Sequence, residues 1–418
     1  MKVAINMPRI RFRKMKISIK NYILFSMFST PFIDLINGYF GGGVPIGQII
    51  RTVIVFINIY LCTKCIPRTE KKSTYIFLFI VIYVVAHSVI AGILSNTGGI
   101  MDSFIFGLKL LLFLSEMQML VNYSRKGIIR KENFVDFWKF SCWFVPISLL
   151  VCKFFNLRNT ANNSNSGLYS SDNAMSIIFI IQFVLSMYFA KEEKRYWITT
   201  LLNLVAMALL GTKSPYLYVG AVVIALALFY SKHRIRTITT IITAGVLAYF
   251  LISKYFSDDM LRYIEYHTYH LNNALESKTI WGYLFSGRNN MLLAEWRSIL
   301  SNGLSIICLT FGIGRSNFVS GIEMDFFEIL FSFGIFVTIG VYYLTLRSFS
   351  WKSKNRIENL FLNLALICMV SFGSLGGHTF LEAISATYSA LLIGYKYSCY
   401  IDGGKQIAKE NRSFCGHI

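Results

Sequence analysis

Acidic residues are scarce in this chain. Its 418 residues include 21 Asp and Glu against 41 Lys and Arg, and charged residues of every kind make up only 15%. An ordinary soluble domain carries about 25%, so that class is excluded. A disulfide framework is missing as well. Cys62, Cys65, Cys142, Cys152, Cys308, Cys368, Cys399 and Cys415 fall mostly inside apolar runs or short turns, unlike the cysteines of a stapled secreted domain. Cys62-Thr-Lys-Cys65 is a C-x-x-C with no second pair, and reads as two cysteines at a helix end. His267 and His270 have no third ligand nearby in sequence, so no metal and no cofactor is expected. The net charge of +20 comes without a basic face or a recognition motif, which excludes nucleic acid as a partner. No internal repeat of fixed period is visible, which argues against an inverted-repeat transporter. The basic N-terminal stretch MKVAINMPRIRFRKMKISIK has no small-residue cleavage site after it. It reads as a cytoplasmic lead-in suited to anionic lipid.

What the chain has instead is alternation. Hydrophobic residues make up 55% and aromatics 16%, and the mean hydropathy is +0.53. Apolar runs of about 20 residues, the length that crosses a bilayer as a helix, alternate with short basic clusters. The expected fold is therefore an all-α, polytopic transmembrane helical bundle forming a single integral membrane domain over residues 1–418. About twelve spans fit: 20–40, 44–63, 74–94, 103–122, 134–155, 174–190, 197–211, 214–230, 237–256, 325–346, 358–376 and 379–399. The loops they place on one side hold Lys64 to Lys72, Arg125 to Lys131, Lys191 to Arg195, Lys232 to Arg236 and Arg347 to Arg356. The loops between spans 1 and 2, 3 and 4, and 11 and 12 hold almost no positive charge. That asymmetry puts both termini in the cytoplasm. Residues 197–230 lie between two basic clusters, so they must go out and return, with Gly211-Thr-Lys-Ser-Pro215 as the turn.

Two outer loops have substance, a smaller one at 156–173 and a large one at 257–324. In the large loop, Met291, Leu292, Leu293, Trp296, Ile299 and Leu300 recur at helical spacing, which predicts an amphipathic helix over 290–301. Residues 306–313 are apolar but too short to span, and suit a re-entrant or interfacial piece.

Outer loops should be poor in arginine, yet this one holds Arg262, Arg288, Arg297 and Arg315. Arg158, Lys213 and Arg51 belong to the same outer surface. Guanidinium binds phosphate bidentately, so the set as a whole suits an anionic ligand. Taken singly, each arginine also suits a lipid head group or a local salt bridge with Asp258, Asp259, Glu265 or Glu295. Glu323-Met-Asp325 sits where the long loop re-enters the membrane. A carboxylate there suits a general base, and Asp325 equally suits a helix N-terminus. His378 follows Gly376-Gly377 and is a third candidate for proton transfer or phosphate contact. His87 reads as a helix–helix contact. The remaining intramembrane charges are Asp34, Lys109, Glu116, Asp136, Lys139 and Glu328, with Asp136 and Lys139 spaced to pair.

The stretches FSTPFIDLINGYFGGGVPIGQIIR, SGRNNMLLAEW, FGIGRSNFVSGIEMDFFEILFSFGIFVTIG and GGHTFLEAISATYSALLIG together resemble bacterial O-antigen polymerases of the Wzy type, in the superfamily that includes O-antigen ligases. The resemblance covers the layout of nearly the whole chain. It implies a glycosyltransferase of the bacterial inner membrane that joins undecaprenyl-pyrophosphate-linked oligosaccharide repeat units at the periplasmic face, without a nucleotide sugar or metal. It also implies partners from the same pathway, a chain-length regulator and a flippase. Arginines in two periplasmic loops, here Arg158 and Arg288 with Arg297, are what the family places there. The rivals are an O-antigen ligase, which would carry a clear loop histidine, and a flippase or exporter of the same lipid-linked oligosaccharide, which would show pseudo-repeats.

Overall fold

In a computed structural model of the chain, the described residues are 18–40, 46–94, 99–158, 165–233 and 288–415, apart from 302, 319 and 320, with isolated positions between 236 and 243. Among them are 13 α-helices and no strand. These are α1 (Ile19–Tyr39), α2 (Ile46–Lys64), α3 (Lys71–Leu94), α4 (Gly99–Arg125), α5 (Lys131–Phe154), α6 (Asp172–Glu192), α7 (Tyr196–Leu210), α8 (Lys213–Tyr230), α9 (Arg288–Ser301), α10 (Ser305–Phe311), α11 (Asp325–Leu346), α12 (Arg356–Leu375) and α13 (Ala383–Cys415). The expected span at 237–256 lies outside the described residues but for those isolated positions, and Asp258, Asp259, Arg262, Glu265, His267 and His270 lie outside them entirely.

The other eleven expected spans coincide with helices. Eight of these, α2 to α6, α8, α11 and α12, are long and apolar enough to cross a membrane, while α7 is apolar but only 15 residues long. By that measure the chain is a multi-pass helical membrane protein. Its burial pattern agrees. From Ala174 to Ala190 only Met187 of α6 escapes full burial, so α6 runs through the centre of the bundle. The periphery carries exposed Phe25, Phe56, Phe79, Ile82, Ile93 and Leu217, an apolar belt that water would not tolerate but lipid does. The outward and return arms of 197–230 are two helices. Gly211 takes a left-handed conformation (φ 68°) to end α7, and α8 starts at Lys213 with Pro215 in its first turn. The structure replaces one expected ion pair. Lys139 does not pair with Asp136, three residues back on its own helix; its ammonium reaches Glu193, just past the end of α6.

The two short helices predicted from the long loop are present as α9 and α10. α9 buries Ile299 against Ile322, Met324 and Phe331. The segment after α10 re-enters the bundle from the end where α1 stops, called here the Tyr39 end. Tyr83 and His87, one turn apart on α3, meet it: the Tyr83 hydroxyl donates to the Phe311 carbonyl at 2.8 Å, and His87 Nε2 lies 3.3 Å from the Gly312 carbonyl. α11 breaks where this segment arrives. Gly334 adopts φ 80°, ψ 177°, which releases the carbonyls of the preceding turn from the helical ladder. The N–H groups of Ile313 and Gly314 donate to the carbonyls of Phe331 and Ser332 at 2.7 and 3.2 Å. Non-helical backbone at membrane depth has to be satisfied by protein in this way. Glycine is required at the break, because a Cβ on Gly334 would lie 2.2 Å from the Thr310 carbonyl oxygen. The break leaves residues 325–333 as a separate half-helix whose first turn carries Asp325 and Glu328.

Candidate functional site

Asp325 is the first residue of α11, but it does not cap that helix. The cap position is Met324, without a side-chain bond. The fully buried Asp325 carboxylate reaches sideways to the turn between α12 and α13. Its Oδ2 accepts the N–H groups of Thr379 and Phe380, both at 2.6 Å, and its Oδ1 lies 3.1 Å from His378 Nδ1. Gly373 makes room, since a Cβ there would come within 3.0 Å of Oδ2. One turn along the same face, the buried Glu328 lies 3.6 Å from His378 Nδ1 and 3.3 Å from Arg315 Nη1. The Arg315 guanidinium lies over the Phe318 ring at 4.7 Å and the Phe106 ring at 5.6 Å, a stacking that suits a planar cation.

His378 is thus held among carboxylates. Burial alone pulls its pKa down, but the Asp325 hydrogen bond and the charges of Glu328, Asp325 and Glu382 outweigh this and raise it from 6.5 to about 9. The imidazole is a cation at neutral pH, with Nδ1 committed to Asp325. The sign follows from linkage. The stabilisation by protonated His378 is complete below pH 6.5, declines above it, and is gone once pH passes about 9. Anion binding at this site should therefore stay level up to about pH 8 and then fall with a midpoint near 9. A pH titration of inorganic pyrophosphate binding checks this, and a midpoint near 6.5 would contradict the pairing.

A second cluster adjoins the first. Glu323 adopts φ 54°, a left-handed conformation that costs a non-glycine residue about 1 kcal/mol or more. That turn aims its carboxylate at Arg288, the first residue of α9. Arg288 Nη2 and Nε lie 2.9 and 3.3 Å from Glu323 Oε2, and the Asn173 amide of α6 lies 3.4 Å from the same oxygen. Arg288 comes close enough to Lys213 for the two cations to repel. A Cβ on Gly377, next to His378, would touch Asn173 at 3.4 Å, so the two clusters share a wall.

The structure therefore gathers Arg288, Lys213, Glu323, Asp325, Arg315 and His378 at the Tyr39 end. It leaves three expected ligands elsewhere. Arg51 pairs with the buried Asp34 at 2.6 Å, and the other oxygen of Asp34 accepts the Ser170 N–H at 3.1 Å, so this pair fastens the loop before α6 to α1 and α2. Arg158 is exposed, with Nε 3.2 Å from Asn156 Oδ1. Arg297 is exposed; nine residues from Arg288 is half a turn around α9, on the opposite face.

Four residues join the site that sequence reasoning did not put there: Asn173, Glu328, Glu382 and Lys109, whose ammonium lies 3.4 Å from Glu382 Oε2. Glu328 was legible as i+3 from Asp325, and Lys109 as a costly charge inside a span. Nothing in the sequence marks Asn173 or Glu382. Among the described residues no group of three or more His, Cys, Asp and Glu is arranged to hold a metal ion. The arrangement can bind a multiply charged anion through Arg288, Arg315 and His378, and can accept a proton at the half-exposed Glu323. Comparison with protein-family models, with characterised proteins and with solved structures returns no match for this chain.

Proposed function

We propose that this chain is a bacterial inner-membrane glycosyltransferase that joins polyprenyl-pyrophosphate-linked oligosaccharide units into O-antigen at the periplasmic face, with both termini in the cytoplasm. The observation that carries the reading is the position of Arg288, Arg315 and His378. They meet at one end of an apolar bundle, each beside a carboxylate. A polyprenyl pyrophosphate keeps its tail in lipid and its charge at the interface, so its anionic group arrives where these cations are. The basic loops at the opposite end make the Tyr39 end the outer one.

The chemistry divides among the residues. The sugar C1–O bond to pyrophosphate breaks as the acceptor hydroxyl oxygen bonds to C1. Arg288, Arg315 and the His378 imidazolium offset the charge on the departing pyrophosphate. Arg288 cannot hold Glu323 and pyrophosphate equally well, so the arriving donor loosens Glu323, which then takes the hydroxyl proton. Asp325 is buried and fully engaged, and acts by holding His378 charged and in place. This moves the base from Asp325, the first choice on sequence, to Glu323.

The lipopolysaccharide of a strain lacking this protein tests the reading. A lost polymerase leaves the core capped by a single repeat unit, because ligation still accepts an unextended unit. A lost flippase leaves no repeat unit on the core, and a lost ligase leaves polymer on the lipid carrier alone. Either of the last two patterns on the gel would overturn the proposal.

A further inference from the structure

Lys109 is out of keeping with its surroundings. It lies ten residues into α4, about 15 Å along the helix, between the fully buried Leu110 and the nearly buried Phe106. α4 is enclosed by α2, α3 and α13. The Lys109 side chain is nonetheless 39% exposed, and its described partner, Glu382, is 3.4 Å away and 18% exposed. A charge that deep is tolerated where it opens to a polar cavity. The flanking residues on α4 say what this face meets. One turn before Lys109, Phe106 lies under the Arg315 guanidinium. One turn after it, Phe113 stacks on Phe380 at 4.5 Å, two residues past His378. Glu382 itself acts on the charge of His378. The Lys109 side chain therefore lies on the face of α4 between Arg315 and the 378–382 turn.

We infer that Lys109 is a phosphate-binding group of this site, and that Glu382 occupies its ammonium until a diphosphate displaces it. The inference rests on the proposed pyrophosphate donor and adds a cation to it. A compact ammonium on a flexible stem suits the phosphate that becomes terminal as the sugar C1–O bond breaks, which farnesyl and inorganic pyrophosphate present from the start. The loose 3.4 Å contact suits a partner that is exchanged. A pair kept for folding would be shorter and drier, as Arg51–Asp34 is.

The test uses the full-length protein in nanodiscs, with two probes: farnesyl pyrophosphate for a lipid-borne diphosphate and inorganic pyrophosphate for a free one. Lys109→Gln should weaken diphosphate binding by about 30-fold or more, while Lys109→Arg keeps part of it. Glu382→Gln should tighten binding by about two- to fivefold, because it removes a competitor worth no more than an exposed ion pair. A merely structural pair predicts no tightening. Farnesyl pyrophosphate binding far better than inorganic pyrophosphate identifies a lipid-borne ligand, and equal affinity identifies the diphosphate alone; both support the role of Lys109. Should Lys109→Gln not fold, Glu382→Gln decides alone. Unchanged affinity in Lys109→Gln, or unchanged or weakened affinity in Glu382→Gln, overturns the inference and leaves the proposed function standing. A wild type that binds neither probe overturns the pyrophosphate donor and the role of Lys109 together.

Discussion

Asp325→Asn is expected to abolish chain extension and to lower stability by about 3–5 kcal/mol, the usual cost of breaking a buried, hydrogen-bonded ion pair. The reason is donor geometry. The carboxylate accepts two backbone N–H groups and faces His378 Nδ1. An amide can offer one acceptor oxygen, and its NH2 would then point at a donor. The 378–382 turn loses its anchor to α11, and His378 loses the partner that keeps it charged. Two measurements check this: the thermal midpoint in detergent, and the pH midpoint of pyrophosphate binding, which should move from about 9 toward 6.5. Long-chain lipopolysaccharide persisting in this variant would remove Asp325 from the mechanism.

Arg288→Lys is expected to reduce chain extension by about 10²- to 10³-fold, the scale of losing one preorganised donor to a developing charge. Arg288 presents Nη2 and Nε together to Glu323, and the same fork would grip two phosphate oxygens. Lysine keeps the charge and loses the fork. Arg297→Lys is the internal control. It sits on the opposite face of α9 and should extend chains normally. Equal activity in both variants would show that the loop arginines act only through their summed charge.

Some of this was readable in the chain itself. The turn at Gly211 was legible, because Gly and Pro between two basic clusters break a helix there. The helix α9 was legible from its spacing, but its buried face only in part. Leu292 and Ile299 pack inward. Met291, Leu293, Trp296 and Leu300 are exposed, and the buried face also carries Arg288 and Glu295. The kink at Gly334 could not be read that way. FSFGIF is a continuous apolar run, and the break exists because the Thr310 carbonyl occupies the space a straight helix would need. Asp325 misled in a related manner. Its position favours an N-cap, but its partners lie 53 to 55 residues away, beyond any local rule. Lys109 and Glu382 are 273 residues apart, so only the packing of α4 against α13 brings them together. Local backbone preference is written locally, and the chemistry of the site depends on long-range contacts.

The 15 residues of α7 have a consequence for the lipid around them. At 1.5 Å per residue the helix is about 22 Å long, against about 30 Å of hydrocarbon in a typical bilayer. The turn after it sits low, since the Thr212 hydroxyl bonds Ser176, which is already four residues into α6. Lipid beside α7 has to compress or carry water down to Lys213. With α7 as a span, the bilayer should thin on the flank where Lys213 and Arg288 stand. For the proposed donor, the head group would descend into that hollow without leaving the interface, and the glycan attached to it would stay in water throughout. A thicker, sterol-like bilayer would flatten the dimple and slow such entry, which makes lipid thickness a control on this protein separate from any of its side chains.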